Sequence, residues 1–135
     1  ASYSARVCAV FRELARDERE HAQHIDMLMQ ASGPSTEAVA SVAGHVVDAA
    51  LEAAQEMMDL VKGGRLREQD ALEMAVRMER TFAQLHVNNA VHMVDNSRAE
   101  ALFARLDSED RKHIQRLKEC ISWWESNGKD REVST

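Results

Sequence analysis

The chain has 135 residues, 44% of them apolar and 30% charged, with five glycines and one proline. That is one domain's worth of chain, and so few turn-forming residues exclude a fold of many short strands. Seventeen basic side chains against 23 acidic ones leave a net charge of −6, the wrong sign for a nucleic-acid binder. Charges interrupt every apolar run, so no segment is expected to enter a membrane. No secretory leader is expected, and the sequence opens at Ala1 without an initiator Met, as a processed product or a fragment would. Cys8 and Cys120 form neither a CxxC pair nor a disulfide framework, and the expected setting is cytoplasmic with both thiols reduced.

Four long helices are expected. In the first, roughly residues 4–31, Val7, Phe11, Leu14, Glu18, His21, Ile25 and Leu28 follow alternating spacings of four and three, which places them on one helical face. Gly33-Pro34-Ser35 closes it, because proline disfavours helix in the residue before it. The second, roughly 36–62, is apolar around much of its girth through Val42, Val46, Val47, Leu51, Met57, Met58 and Leu60. It reads as a buried or oligomer-facing helix that ends at Gly63-Gly64. The third, roughly 66–95, carries the stripe Ala75, Met78, Glu79, Phe82 and Ala83. Ser97 with Glu100 then matches a capping box that opens the fourth, roughly 98–126. Its stripe is Leu106, Asp110, His113, Leu117, Cys120 and Trp124. Residues 1–128 are thus expected to form a single all-α antiparallel bundle, and 129–135 a flexible tail.

Acids and imidazoles inside apolar stripes carry the functional signal. Glu18 and His21 interrupt the first stripe, and Asp110 and His113 interrupt the last at the same phase. A carboxylate three residues before a histidine shares its helical face. Either pair alone is compatible with a solvated face. A repeat makes the two more informative: a shift of 92 residues aligns Phe11 with Phe103, Leu14 with Leu106, Glu18 with Asp110, Arg19 with Arg111, His21 with His113 and Gln23 with Gln115. Two such elements facing each other across a bundle would bring carboxylates and imidazoles together. Burying those carboxylates costs several kcal/mol unless something pairs with them, and a metal ion is one solution.

The stretch Phe11-Arg-Glu-Leu-Ala-Arg-Asp-Glu-Arg-Glu-His-Ala resembles the second helix of ferritin-like proteins of the rubrerythrin type. Ala71-Leu-Glu-Met-Ala-Val-Arg-Met-Glu-Arg-Thr-Phe resembles their third helix, and Phe103 to Glu119 their fourth. The resemblance implies a ferritin-like bundle with a carboxylate-bridged iron site. Its ligands would be Glu18, His21, the bridging Glu79, Asp110 and His113. It implies one or two iron ions, for which manganese or zinc could substitute, and oxidation of ferrous iron by dioxygen or peroxide. A homo-oligomer, at least a dimer, is expected. The alternative is a metal-free helical interaction module in which the same groups form a buried hydrogen-bond network.

Two departures from the family pattern stand out. Asp110 occupies a position where the family has Glu, and its shorter arm reaches less far. The family's first helix, with its bridging glutamate, has no counterpart. A helix preceding Ala1, a second subunit, or residues 36–62 with Glu52 or Glu56 turned inward could fill its place. Of the other imidazoles, His24, His45 and His92 are expected to be partly exposed or hydrogen-bonded. His86, two turns after Glu79, carries the same expectation, with an additional ligand or an iron-path residue as its functional readings. Glu20 and Glu109 lie off the stripes and are expected to face solvent. The methionines read as packing groups, and Trp123-Trp124 as one packed ring beside one exposed ring. Two cysteines are too few for a rubredoxin-type iron site. The His-x-x-x-Glu pattern of hemerythrin-like bundles is absent after His45, His86 and His92.

Overall fold

Ser4 and the apolar row behind it begin the first helix. Its Oγ accepts a hydrogen bond from the Val7 amide at 3.3 Å, a side-chain cap on an otherwise orphaned donor. The computed structural model describes residues 3–32, 52, 54–56, 58–60, 62–64, 66–92 and 97–128. Helix α1 spans Ala5–Ser32, α2 spans Glu68–His92 and α3 spans Ser97–Asn127. Residues 52, 54–56, 58–60 and 62 are also helical, and no strand occurs among the described residues. The breaks expected around 33–35 and 93–96, the segment 36–51 and the tail 129–135 lie outside the described residues.

Two glycines act where the sequence placed helix ends. Gly64 sits at φ +65°, a left-handed conformation that side chains with a Cβ rarely adopt. At Gly128 a Cβ would stand 2.7 Å from both the indole nitrogen and the carbonyl oxygen of Trp124, so only glycine lets the chain leave α3 this closely.

Helix α3 packs against both α2 and α1, more extensively against α2, while α1 and α2 barely meet. Contacts run in opposite senses along α1 and α3. Glu13 reaches Arg116, Asp17 reaches His113, His21 reaches Glu109 and His24 reaches Arg105. The same antiparallel relation joins α2 and α3, from Glu68 with Trp124 at one end to His86 with Asp110 near the other. Glu68 also latches the bundle end. It accepts from the Ser4 amide at 2.8 Å and from the Trp124 indole at 3.3 Å.

The stripes pack in two apolar layers. Val7, Leu14, Leu72, Ala75, Val76, Leu117, Cys120 and Trp124 form one, and Ala99, Phe103 and Leu106 form the other with Ile25, Leu28 and Leu102 against them. Between these layers lie the buried polar groups His21, Glu79, His86, Asp110 and His113. Trp124 is buried as expected for one ring of the pair, and the half-buried Trp123 lies under the Arg6 guanidinium, 4.9 Å from its centroid. Met58 and Leu60, expected to be buried or to face another subunit, are exposed in the single chain. Cys120 is buried and Cys8 half-buried, both as free thiols.

Leu117 has no exposed surface and lies in the larger apolar layer. Leu117→Ala should therefore lower unfolding free energy by about 2–5 kcal/mol, read from a denaturant titration, with helical content unchanged in the folded baseline.

Candidate metal centre

Periodicity alone brings Glu18 and His21 to the inner face of α1, and Asp110 and His113 to that of α3. Helix α2 adds Glu79 from the opposite side. One ligand atom from each of Glu18, Glu79, Asp110 and His113 lies within 4.8 Å of the others, with three of the four residues buried. Donors around a single ion, each about 2.0–2.3 Å from it, stand no more than about twice that far apart, so this spacing suits one. His21 stands at the margin of the group. Its Nδ1 lies 3.5 Å from Glu18 Oε1 and 3.8 Å from Asp110 Oδ1. On the other side, His113 Nδ1 lies 3.3 Å from both Glu18 Oε1 and Glu79 Oε2. The two imidazoles are nearly parallel, with centroids 5.6 Å apart.

The donor set fits a cation on a specific observation. Glu18 Oε1, His21 Nδ1 and Asp110 Oδ1 are buried and have no hydrogen-bond partner. The Nε2 atom of His21 is hydrogen-bonded to Glu109 Oε2. With its Nε2 proton given to Glu109, His21 turns Nδ1 towards two carboxylate oxygens, and there it carries either a second proton or, when neutral, a lone pair facing theirs. Lone pairs facing each other in a buried space are costly, and a positive ion between them removes the cost.

Sequence reasoning missed the groups that orient the imidazoles. His113 Nε2 is hydrogen-bonded to Asp17 Oδ2 at 3.0 Å, and His21 Nε2 to Glu109. The helices exchange partners: each carboxylate one residue before a metal-facing acid holds the histidine of the other helix. Such outer partners fix the ring and its tautomer. Glu109 was expected to face solvent and is instead half-buried against His21, because an antiparallel neighbour covers a flank that a helix in isolation would leave wet. The signal was available, since the 92-residue shift also aligns Asp17 with Glu109. Arg116 lies 3.7 Å from Asp17, and Arg105 lies 4.0 Å from Glu109 and hydrogen-bonds His24 at 2.9 Å. Glu20 is exposed, as expected. His45 and the side chain of His92 lie outside the described residues.

Two openings flank the centre. A polar recess of about 210 Å³ is lined by Asp17, Glu20, Glu109, Lys112, Arg116 and the two histidines. On the opposite side an apolar cleft of about 460 Å³ separates α1 from α2, bordered by Leu14, Glu18, Met78, Glu79 and Phe82. Ala54, Met58 and Lys62, spaced by four residues, line the same cleft from the neighbouring helical segment. Glu52 and Glu56, offered above as inward-turned carboxylates, are exposed. The segment's cleft-lining residues are thus Ala, Met and Lys, and it presents no acid to the centre among its described residues.

The shared charge sets the protonation of these groups. Burial works against a charged His113, but the close carboxylates of Glu18, Glu79 and Asp17 outweigh it and raise the imidazole to about 10. His21 is raised in the same way, burial being overcome by Glu18 and Glu109. Burial would raise Glu18, yet its two histidine partners bring it down to about 2. Glu79 goes up, through burial and the nearby charges of Glu18 and Asp110, with His113 only partly offsetting them.

Among the described residues the architecture is all helical, with a buried carboxylate–imidazole layer that could hold a metal ion. A sequence model of the rubrerythrin family matches residues 3–121, and the chain belongs to that family. No curated protein and no solved structure gives a significant match. Among the described residues no helix is long and apolar enough to cross a membrane.

In metal-free protein the His113 contribution to stability is complete below pH 6.5 and disappears as pH rises through about 10. That of Glu18 is complete above pH 4.5 and disappears as pH falls towards 2. Melting temperature of the metal-free protein should accordingly be highest between these windows and fall on both sides. A metal displaces the His113 proton and any proton held by His21 or Glu79, so binding near neutral pH should release at least about one proton per ion. Calorimetry in two buffers of different ionisation enthalpy measures it.

Proposed function

We propose that this chain holds iron between Glu18, His21, Glu79, Asp110 and His113 and oxidises ferrous iron with dioxygen or peroxide. The carrying observation is the convergence of three unpartnered buried atoms, Glu18 Oε1, His21 Nδ1 and Asp110 Oδ1, beside Glu79 and His113. Three carboxylates and two imidazoles are a mixed oxygen and nitrogen set that suits iron or manganese, and zinc can enter the same place. These five residues would hold one ion and leave room beside it for the oxidant. A second ion requires a further carboxylate, which no described residue of the 52–62 segment supplies.

Iron bound there would supply one-electron chemistry towards the oxidant. The protein's own contribution is positional. Asp17 and Glu109 hold the two rings so that their Nδ1 atoms face the carboxylates. They also draw positive charge towards the Nε2 edges, which raises the basicity of the inward nitrogens. The polar recess, lined by acids and bases alike, offers a hydrated route to the histidine side of the centre. The apolar cleft bordering Glu18 and Glu79 supports an oxidant that is small and uncharged. Under this reading residues 1–128 act as one domain, and homo-oligomerisation and a cytoplasmic setting remain part of the proposal.

Metal analysis of protein purified without chelator tests it. At least about one iron per chain is expected after anaerobic ferrous loading, lost in the combined Glu79→Ala, His113→Ala variant while helicity persists. Aerobic oxidation of added ferrous iron should outpace buffer in the parent and match buffer in the variant. A metal-free parent of full helicity would instead favour the interaction module.

A further inference from the structure

Asp110 marks the place where this chain shortens an acid arm, and the structure supplies a partner there. The side chain has no solvent exposure. Its Oδ2 lies 2.5 Å from Nδ1 of His86, while Oδ1 has no hydrogen-bond partner and faces His21 Nδ1 at 3.8 Å. An ionised carboxylate only accepts, so His86 is the donor. His86 is itself buried, on the same face of α2 as Glu79 and two turns further along. Its ring packs 6.0 Å from Phe103 and meets His21 edge-on at 6.5 Å. It stands outside the four residues whose ligand atoms converge.

We propose that His86 is a positioning residue of the metal centre: its Nδ1–H occupies Asp110 Oδ2 and leaves Oδ1 as the single atom that Asp110 offers to the ion. The inference rests on the metal-binding reading given above. Losing one methylene withdraws a carboxylate by about one C–C bond, roughly 1.5 Å. A short arm that is also free to rotate would alternate between one-oxygen and two-oxygen contact. A donor fixed in a packed layer removes that freedom. It also satisfies the oxygen that faces away from the ion, where a bare carboxylate oxygen would be unpaired in an apolar surrounding. The duplicated pair Glu18–His21 has no such helper among the described residues: the ion pairs of Glu18 are with the two imidazoles. The asymmetry between the two acid-x-x-His elements is therefore matched by a histidine on α2, the helix outside the repeat.

Cobalt(II) is the probe, because its visible absorption reports ligand number and geometry independently of any turnover. The full chain is compared with His86→Leu, which has no donor, with His86→Asn, whose amide nitrogen replaces Nδ1, and with His86→Gln, whose amide nitrogen stands nearer the position of Nε2. The parent and His86→Asn should share one spectrum and affinities within about threefold, while His86→Leu and His86→Gln bind about 10–100-fold more weakly with an altered band. Circular dichroism of the metal-free proteins reports folding, and His86→Gln carries the comparison if His86→Leu does not fold. Unchanged affinity and spectrum in all three variants would overturn the assignment. So would an Asn variant that behaves like the Leu variant, since His86 would then act as a ligand or a packing group. A parent that binds no cobalt removes the metal reading itself, an outcome distinct from parental binding that ignores position 86.

Discussion

The structure depends on the need to neutralise acidic groups that the helix stripes force inward. Glu79 and Asp110 are buried, Glu18 is two-thirds withdrawn from solvent, and all three lie in a layer sealed above and below by apolar side chains. In water such carboxylates would be fully hydrated; here their partners are the imidazoles of His21, His86 and His113. A proton on His113 and a metal ion in the centre are alternative answers to one electrostatic problem. That equivalence ties the stability of the metal-free bundle to the chemistry of the loaded one.

Antiparallel packing of α1 on α3 turns an internal repeat into reciprocal support. Because the helices run in opposite senses, the acid preceding Glu18 meets His113 and the acid preceding Asp110 meets His21. Neither helix could orient its own histidine this way, since residues four apart on one helix stack along it and do not reach the outer ring nitrogen from across the layer. Arg116 and Arg105 in turn flank these outer acids and balance their charge at the surface. Helix α2 lies outside this exchange. It contributes Glu79 to the centre and His86 to Asp110, and its separation from α1 leaves the apolar cleft open along Glu18 and Glu79.

Much of this was legible beforehand. Every member of the last stripe, Leu106 through Trp124, is buried, because in a long helix a spacing of three and four allows only one inward face. Periodicity put Glu18, Glu79, Asp110 and His113 on inward faces, and the repeat together with the family resemblance brought them to one centre. Glu109 was misplaced because phase on its own helix says nothing of a neighbour's reach. Glu52 and Glu56 were offered as inward groups on composition, but the cleft-lining face of their segment passes through Ala54, Met58 and Lys62. His86 was placed at the right helix face, while its partner, Asp110 Oδ2, belongs to another helix.

By itself, then, the order of amino acids determined the helical class, the buried rows and which acids and imidazoles would be drawn inside, since these follow from the local geometry of 3.6 residues per turn. Only the tertiary structure decided which oxygen of Asp110 is engaged, which helix holds each imidazole, and which side of the centre is polar or apolar. Those depend on the direction and offset of one helix against another, and they arise from packing between segments that are remote along the chain.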